Sequence, residues 1–81
     1  MTVRVHFWSY FQDIAGAAAV ELEVPEGARV SDVLELAWAR WPELGTMRGS
    51  TLVAVDVDYA EPGRLLAPGE EVSLFPPVQG G

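Results

Sequence analysis

An 81-residue chain is one small domain, too short for a catalytic cleft between two lobes. Its composition suits a dense core: 49% of residues are hydrophobic, and no cysteine is present to supply a disulfide, a thiolate nucleophile or a zinc site. A net charge of −7, with no lysine, argues against nucleic acid and anionic membranes as partners and excludes a side-chain Schiff base.

Residues 3–8 alternate, with Val3, Val5 and Phe7 on one face and Arg4, His6 and Trp8 on the other, which predicts a half-buried strand. Ser9 with Gln12 three residues on reads as a capping box, and Gly16 as a left-handed C-cap, giving a short helix over residues 10–15. Residues 18–24 alternate again. Val20, Leu22 and Val24 point inward, Glu21 and Glu23 outward, and Pro25-Glu26-Gly27 turns the chain. The main helix opens at Val30-Ser31-Asp32 with Ser31 as N-cap; Leu34, Ala37, Trp38 and Trp41 form its apolar stripe, and Pro42 stops it. Residues 43–50 read as a loop. Residues 52–57 read as a strand with Val53, Val55 and Val57 on one face. Turns around Pro62-Gly63 and Pro68-Gly69 lead to a last strand, residues 71–75, with Val72 and Leu74 inward.

Strand, strand, helix, strand, strand predicts an α+β fold, a mixed sheet with one main helix packed on one face. If the last strand pairs with the first, the pair is parallel with a right-handed crossover, which is the β-grasp (ubiquitin-like) arrangement. The domain is expected over residues 1–75, with an extended tail over residues 76–81. No long apolar run occurs, so no membrane span is expected and the cytoplasm is the default location.

A conventional active site is hard to find. His6 is the only histidine and reads as a surface residue of a strand. Asp56 and Asp58 lie two apart and so share a strand face, but two carboxylates are too few for a good cation site, and no metal is expected. Trp38 and Trp41 belong to the core stripe rather than to a ligand platform with Trp8. No phosphate-binding glycine loop or zinc-protease motif is present.

The last residues are different. Pro76 and Pro77 fix φ and donate no hydrogen bond, so they end the strand and send the chain away extended. Gly80 and Gly81 have no side chains and accept nearly any backbone conformation, so such a tip can thread a narrow tunnel and present a bare α-carboxylate. Activated as a mixed anhydride with AMP, that carboxylate is open to attack by sulfur or an amine. Phe75, on the strand face opposite Val72 and Leu74, joins Pro76, Pro77 and Val78 in an apolar patch at the root of the tail, a docking surface for a partner.

The run Leu66-Ala67-Pro68-Gly69-Glu70-Glu71-Val72-Ser73-Leu74-Phe75-Pro76-Pro77-Val78-Gln79-Gly80-Gly81 resembles the C-terminal signature of the small subunit of molybdopterin synthase, L-x-x-G-D-E-V-x-x-x-P-P-V-x-G-G. The first strand, the segment from Phe11 to Gly16 and the helix start at Val30-Ser31-Asp32-Val33-Leu34 match that family in position. Glu70 stands where Asp is usual. Asp56-Val57 stands where the family often has Asn-Gly, so the turn there is shaped differently or the strand runs through it.

The resemblance implies a β-grasp sulfur carrier. An ATP-dependent adenylating enzyme would activate Gly81 and a sulfur donor would convert it to a thiocarboxylate. The tail, with Gln79, Gly80 and Gly81, would enter the large synthase subunit and give its sulfur to cyclic pyranopterin monophosphate. Two small subunits usually flank a dimer of large ones. No permanently bound cofactor is implied. Rival readings are a carrier for another product, such as thiamine thiazole or thiolated tRNA, a ubiquitin-like protein modifier, and a small interaction domain with an inert tail. Carriers for other products usually lack the pair seen here as Pro76-Pro77.

Overall fold

Val3, Val5 and Phe7 are completely buried while Arg4 is exposed, so the alternation read in the sequence is the alternation of a real strand. The computed structural model describes residues 1–77. Its elements in chain order are β1 (Thr2–Phe7), α1 (Phe11–Ala15), β2 (Ala19–Glu23), α2 (Val30–Arg40), α3 (Pro42–Gly45), β3 (Leu52–Val55), β4 (Asp58–Tyr59) and β5 (Glu71–Phe75). The sheet order is β2-β1-β5-β3-β4. β1 and β5 are parallel, with Val5 opposite Val72 and Phe7 opposite Leu74; the other neighbouring pairs are antiparallel. This is the β-grasp topology expected from the sequence, and it places the last strand in the middle of the sheet.

One core joins the inner face of the sheet to the helices. Val3, Val5, Phe7, Val55, Val72 and Leu74 meet Phe11, Val30, Val33, Leu34, Ala37 and Leu44. Each large apolar side chain buried there contributes about 1.5–3 kcal/mol. Trp38 and Trp41 pack partly buried against this cluster, as expected. Trp41 meets Phe7 edge-on at 5.0 Å, and the Arg48 guanidinium lies 4.5 Å over the Trp38 ring.

Five local expectations need correction. Ser9 does not cap α1: it has φ 56, not the extended backbone of an N-cap, and its carbonyl rather than its hydroxyl accepts the Gln12 N–H at 3.0 Å. The N-cap is Tyr10, while Gly16 is the left-handed C-cap as read, with φ 76. Ser31 does not cap α2 either. The helix begins at Val30, because the Val30 and Ser31 N–H groups find the Arg64 and Pro62 carbonyls of a distant loop, both at 2.9 Å. Arg29 is the N-cap, and its N–H donates to the Asp32 carboxylate at 2.7 Å.

The expected loop after Pro42 contains the short helix α3. Proline is well placed at a first helical position, where its missing N–H has no partner to lose, and Leu44 anchors the turn in the core. The strand read as 52–57 stops at Val55. Asp56 takes φ 54 and Val55 pairs with Asp58, so Asp56 and Val57 form a two-residue hairpin turn. Val57 is therefore not on the inner face but 93% exposed. Asp56 and Asp58 consequently share no strand face, and among the described residues no cluster of acidic or histidine side chains could hold a metal ion. No helix among the described residues is long and apolar enough to cross a membrane.

Candidate functional site

β5 runs through the middle of the sheet and ends at Phe75, so the chain leaves between β1 and β3. The turn that launches β5 is tightly held. Pro68 and Gly69, the latter at φ 83, form the centre of a type II turn closed by the Glu70 N–H on the Ala67 carbonyl at 3.2 Å. The Glu70 carboxylate accepts the Ala67 N–H at 2.7 Å and both terminal nitrogens of Arg64 at 3.0 and 2.9 Å. The Arg64 hydrogen bond, then that of Ala67, holds this carboxyl below its ordinary titration range. Glu70 therefore serves as the clamp on the turn.

Phe75 lies on the outer face, away from the helices, opposite Leu52 of β3. Its ring stacks on Trp8 at 5.4 Å, the planes 12° from parallel. Trp8 reaches that position because the chain turns sharply at Ser9 just after β1, and the Trp8 N–H bonds the Leu74 carbonyl at 3.1 Å. Trp8 stacks in turn on His6 at 4.4 Å. Behind the rings the face becomes polar: Glu71 meets Arg4 at 3.2 Å. Ser73 lies on this face as well, but is buried, because its cross-strand neighbours are His6 and Ala54.

Trp8, Tyr10, Leu52, Tyr59, Phe75, Pro76 and Pro77, together with Ser9, line one open groove of about 450 Å³. Trp8 and Leu52 are each 41% exposed and Tyr59 79% exposed, so this is a largely aromatic surface presented to solvent at the point where the tail begins. Of the residues singled out from sequence, Phe75, Pro76 and Pro77 come together here. Val78, Gln79, Gly80 and Gly81 lie outside the described residues. Leu52, Tyr59 and Tyr10 were missed, since only the strand register brings them beside Phe75. The alternation that put Trp8 on the face of His6 was the available signal for the stack.

The family model described as the ThiS family matches residues 5–81. The chain belongs to the ThiS family. The molybdopterin synthase sulfur carrier subunit of Chlamydomonas reinhardtii is 28% identical over 83 residues, which cover 100% of both chains. Small archaeal modifier protein 1 of Haloferax volcanii is 32% identical over 85 residues, covering 91% of this chain and 98% of its own. Among solved structures, the putative molybdopterin converting factor, subunit 1, of Pyrococcus furiosus superposes with a TM-score of 0.87 at 30% identity, over 96% of this chain and 99% of its own. A chain from the complex of subunits 1 and 2 of the molybdopterin-converting factor of Helicobacter pylori shares the fold, with a TM-score of 0.71 at 22% identity and 100% coverage of both chains. This ThiS-family chain is thus of the sulfur-carrier kind that includes the molybdopterin synthase carriers.

Proposed function

We propose that this chain is the sulfur-carrying subunit of a molybdopterin synthase. The Gly81 carboxylate attacks the α-phosphate of ATP on an adenylating enzyme, giving an acyl-adenylate and releasing pyrophosphate. Hydrosulfide-level sulfur from a donor attacks the acyl carbon, its C–S bond forms as the bond to AMP breaks, and a thiocarboxylate remains. The tail, through Gln79 and Gly80, then enters the large synthase subunit, where sulfur passes to cyclic pyranopterin monophosphate and water restores the carboxylate. The chain performs none of these steps with its own side chains; it presents the carboxylate and docks. Two large and two small subunits form the working assembly, and the reaction takes place in the cytoplasm.

The observation that supports this reading best is the aromatic groove at the base of Pro76-Pro77. It gives a partner something to hold at the point from which the tail would enter it, and an inert tail has no use for such a surface. The relatives named as molybdopterin synthase carriers and the Pro76-Pro77 pair favour this product over thiamine thiazole or thiolated tRNA. The similarity to a named modifier protein keeps a second reading in play, attachment of Gly81 to amines of other proteins.

Intact mass after incubation with ATP, an activating enzyme and a sulfur donor tests both. Exchange of one oxygen for sulfur at Gly81, followed by its loss when large subunit and pterin substrate are added, is the expected result. Masses raised by whole proteins would establish the modifier, and an unchanged mass with a competent activating system would sink both.

A further inference from the structure

Sulfur transfer through the tail gives no role to His6, the one histidine of the chain. Its half-buried imidazole lies on the open face between Ala19 of β2 and Ser73 of β5. The ring stacks on Trp8 with centroids 4.4 Å apart and planes 19° from parallel. Nδ1 stands 3.7 Å from Oε1 of Glu71, too long for a hydrogen bond and close enough for an ion pair. The other oxygen of that carboxylate is 3.2 Å from Nε of Arg4. Glu71, His6, Trp8 and Phe75 therefore form a file of contacts that begins at a charge and ends where the tail leaves the sheet.

A neutral imidazole in this file has only its stacking contact. A protonated one is also attracted by the Glu71 carboxylate and by the indole face, and repelled by Arg4. Other ionisable groups on the same face are Glu21 and Glu23 of β2, opposite Arg4 and Thr2, and Tyr59 of β4, opposite Ala54. Asp56 adds a carboxylate whose Oδ1 accepts the Glu71 N–H at 3.1 Å. The two groups in direct contact with the imidazole are the Glu71 carboxylate and the Trp8 ring.

We propose that His6 is a positioning residue whose protonation orders the Trp8–Phe75 stack and so makes the platform at the root of the tail pH-dependent. The imidazolium is drawn towards Glu71 and onto Trp8, and Trp8 passes the restraint to Phe75. A preordered platform gives up less side-chain freedom on docking, so a partner binds more tightly on the acid side of the transition. That consequence rests on the carrier reading; the ordering of the rings does not.

The first experiment uses the free full-length chain. NMR resonances of the His6 imidazole, the Trp8 indole and the Phe75 ring are followed from about pH 5 to about pH 8, the range in which imidazoles titrate. All three are expected to move in one shared transition. His6→Gln should remove it from Trp8 and Phe75, and Glu71→Gln, which keeps the histidine, should shrink its amplitude there. Rings indifferent to pH in the wild type, or a transition that survives in His6→Gln, would overturn the proposal. A purely structural His6 would alter the ring spectra of the variant without having made them depend on pH.

A second experiment measures affinity for the large synthase subunit at both ends of that range. Several-fold tighter binding at the acid end, lost in His6→Gln, is expected. Equal affinities would remove the docking consequence alone, whereas no binding at either pH would count against the carrier reading.

Discussion

Phe75 and Glu70 lie five residues apart and do opposite kinds of work. Phe75 is half-buried on the outer face of the sheet, away from the core, and its stack on Trp8 is worth about 0.5–1.5 kcal/mol beyond its buried area. Removing it should therefore cost little stability and much docking. Phe75→Ser is expected to weaken binding to the large subunit about tenfold or more, as loss of a central aromatic anchor does, while the domain still melts cooperatively within about 4–8 °C of the wild type. Calorimetric titration and a thermal melt check the two halves, and unchanged affinity would show that the groove is not a docking surface. Glu70 acts on folding. Its carboxyl titrates below the ordinary range because Arg64, and then the Ala67 N–H, bind its ionised form. A depressed carboxyl stabilises the fold fully above the unfolded pKa of about 4.3, and that contribution disappears as pH falls through the lower folded value. Glu70→Gln should thus lower Tm at neutral pH, with the gap to wild type narrowing as both are melted at progressively more acid pH below about 4. A gap that stays constant with pH would mean that the clamp is a neutral hydrogen bond rather than a charge effect.

The β3–β4 hairpin shows how an element departs from its sequence pattern. Six residues with valine at every second place read as one strand, yet the chain reverses at Asp56-Val57. The positive φ falls on Asp56, a residue type that tolerates it, and not on Val57. The Asp56 carboxylate then secures the turn by accepting the Glu71 N–H, a contact fifteen residues away that no local pattern contains. Since Val57 occupies ordinary backbone and touches little, restoring the glycine common in the family should not help. Val57→Gly is expected to destabilise by about 0.4–1 kcal/mol, chiefly by freeing the unfolded chain, as urea melts would measure. A stabilised variant would mean that Val57 is strained. The start of α2 carries the same lesson: Ser31 is a good local cap, but Arg64 and Pro62 supply carbonyls from a distant loop and the N-cap lies two residues earlier, at Arg29. Local propensity was overruled wherever a tertiary partner took over the hydrogen bond. β1, with its plain alternation, and the stripe of α2 were legible because burial dictates them; β5 was legible from Val72 and Leu74, although Ser73 between them is buried as well.

At the scale of the whole molecule the sheet order decides what the domain can be used for. Topology and family pattern both followed from the sequence, but the groove did not, because Trp8, Leu52, Tyr59 and Phe75 sit on four strands or strand ends and meet only through register. With β5 between β1 and β3, the chain leaves from the centre of the sheet rather than from a fraying edge. Among the described residues, those of the buried cluster run from Val3 to Leu74, and the carrier reading makes the cohesion of the domain and the use of its tail separable. Deleting Gly81 should leave Tm unchanged and abolish sulfur loading, and one extra residue after Gly81 should do the same by masking the carboxylate. Phe7→Ala is the converse control. It empties a fully buried site that meets Trp41 edge-on, at a cost of about 3–5 kcal/mol, a large fraction of the 5–15 kcal/mol that holds a small domain. That variant should lose loading only in proportion to the fraction unfolded. Mass spectrometry of the loaded tail beside thermal melts of the same samples distinguishes the two. A truncated chain that melts several degrees lower would show that the last residues belong to the fold, and the carrier mechanism would then need another account of how the carboxylate is presented.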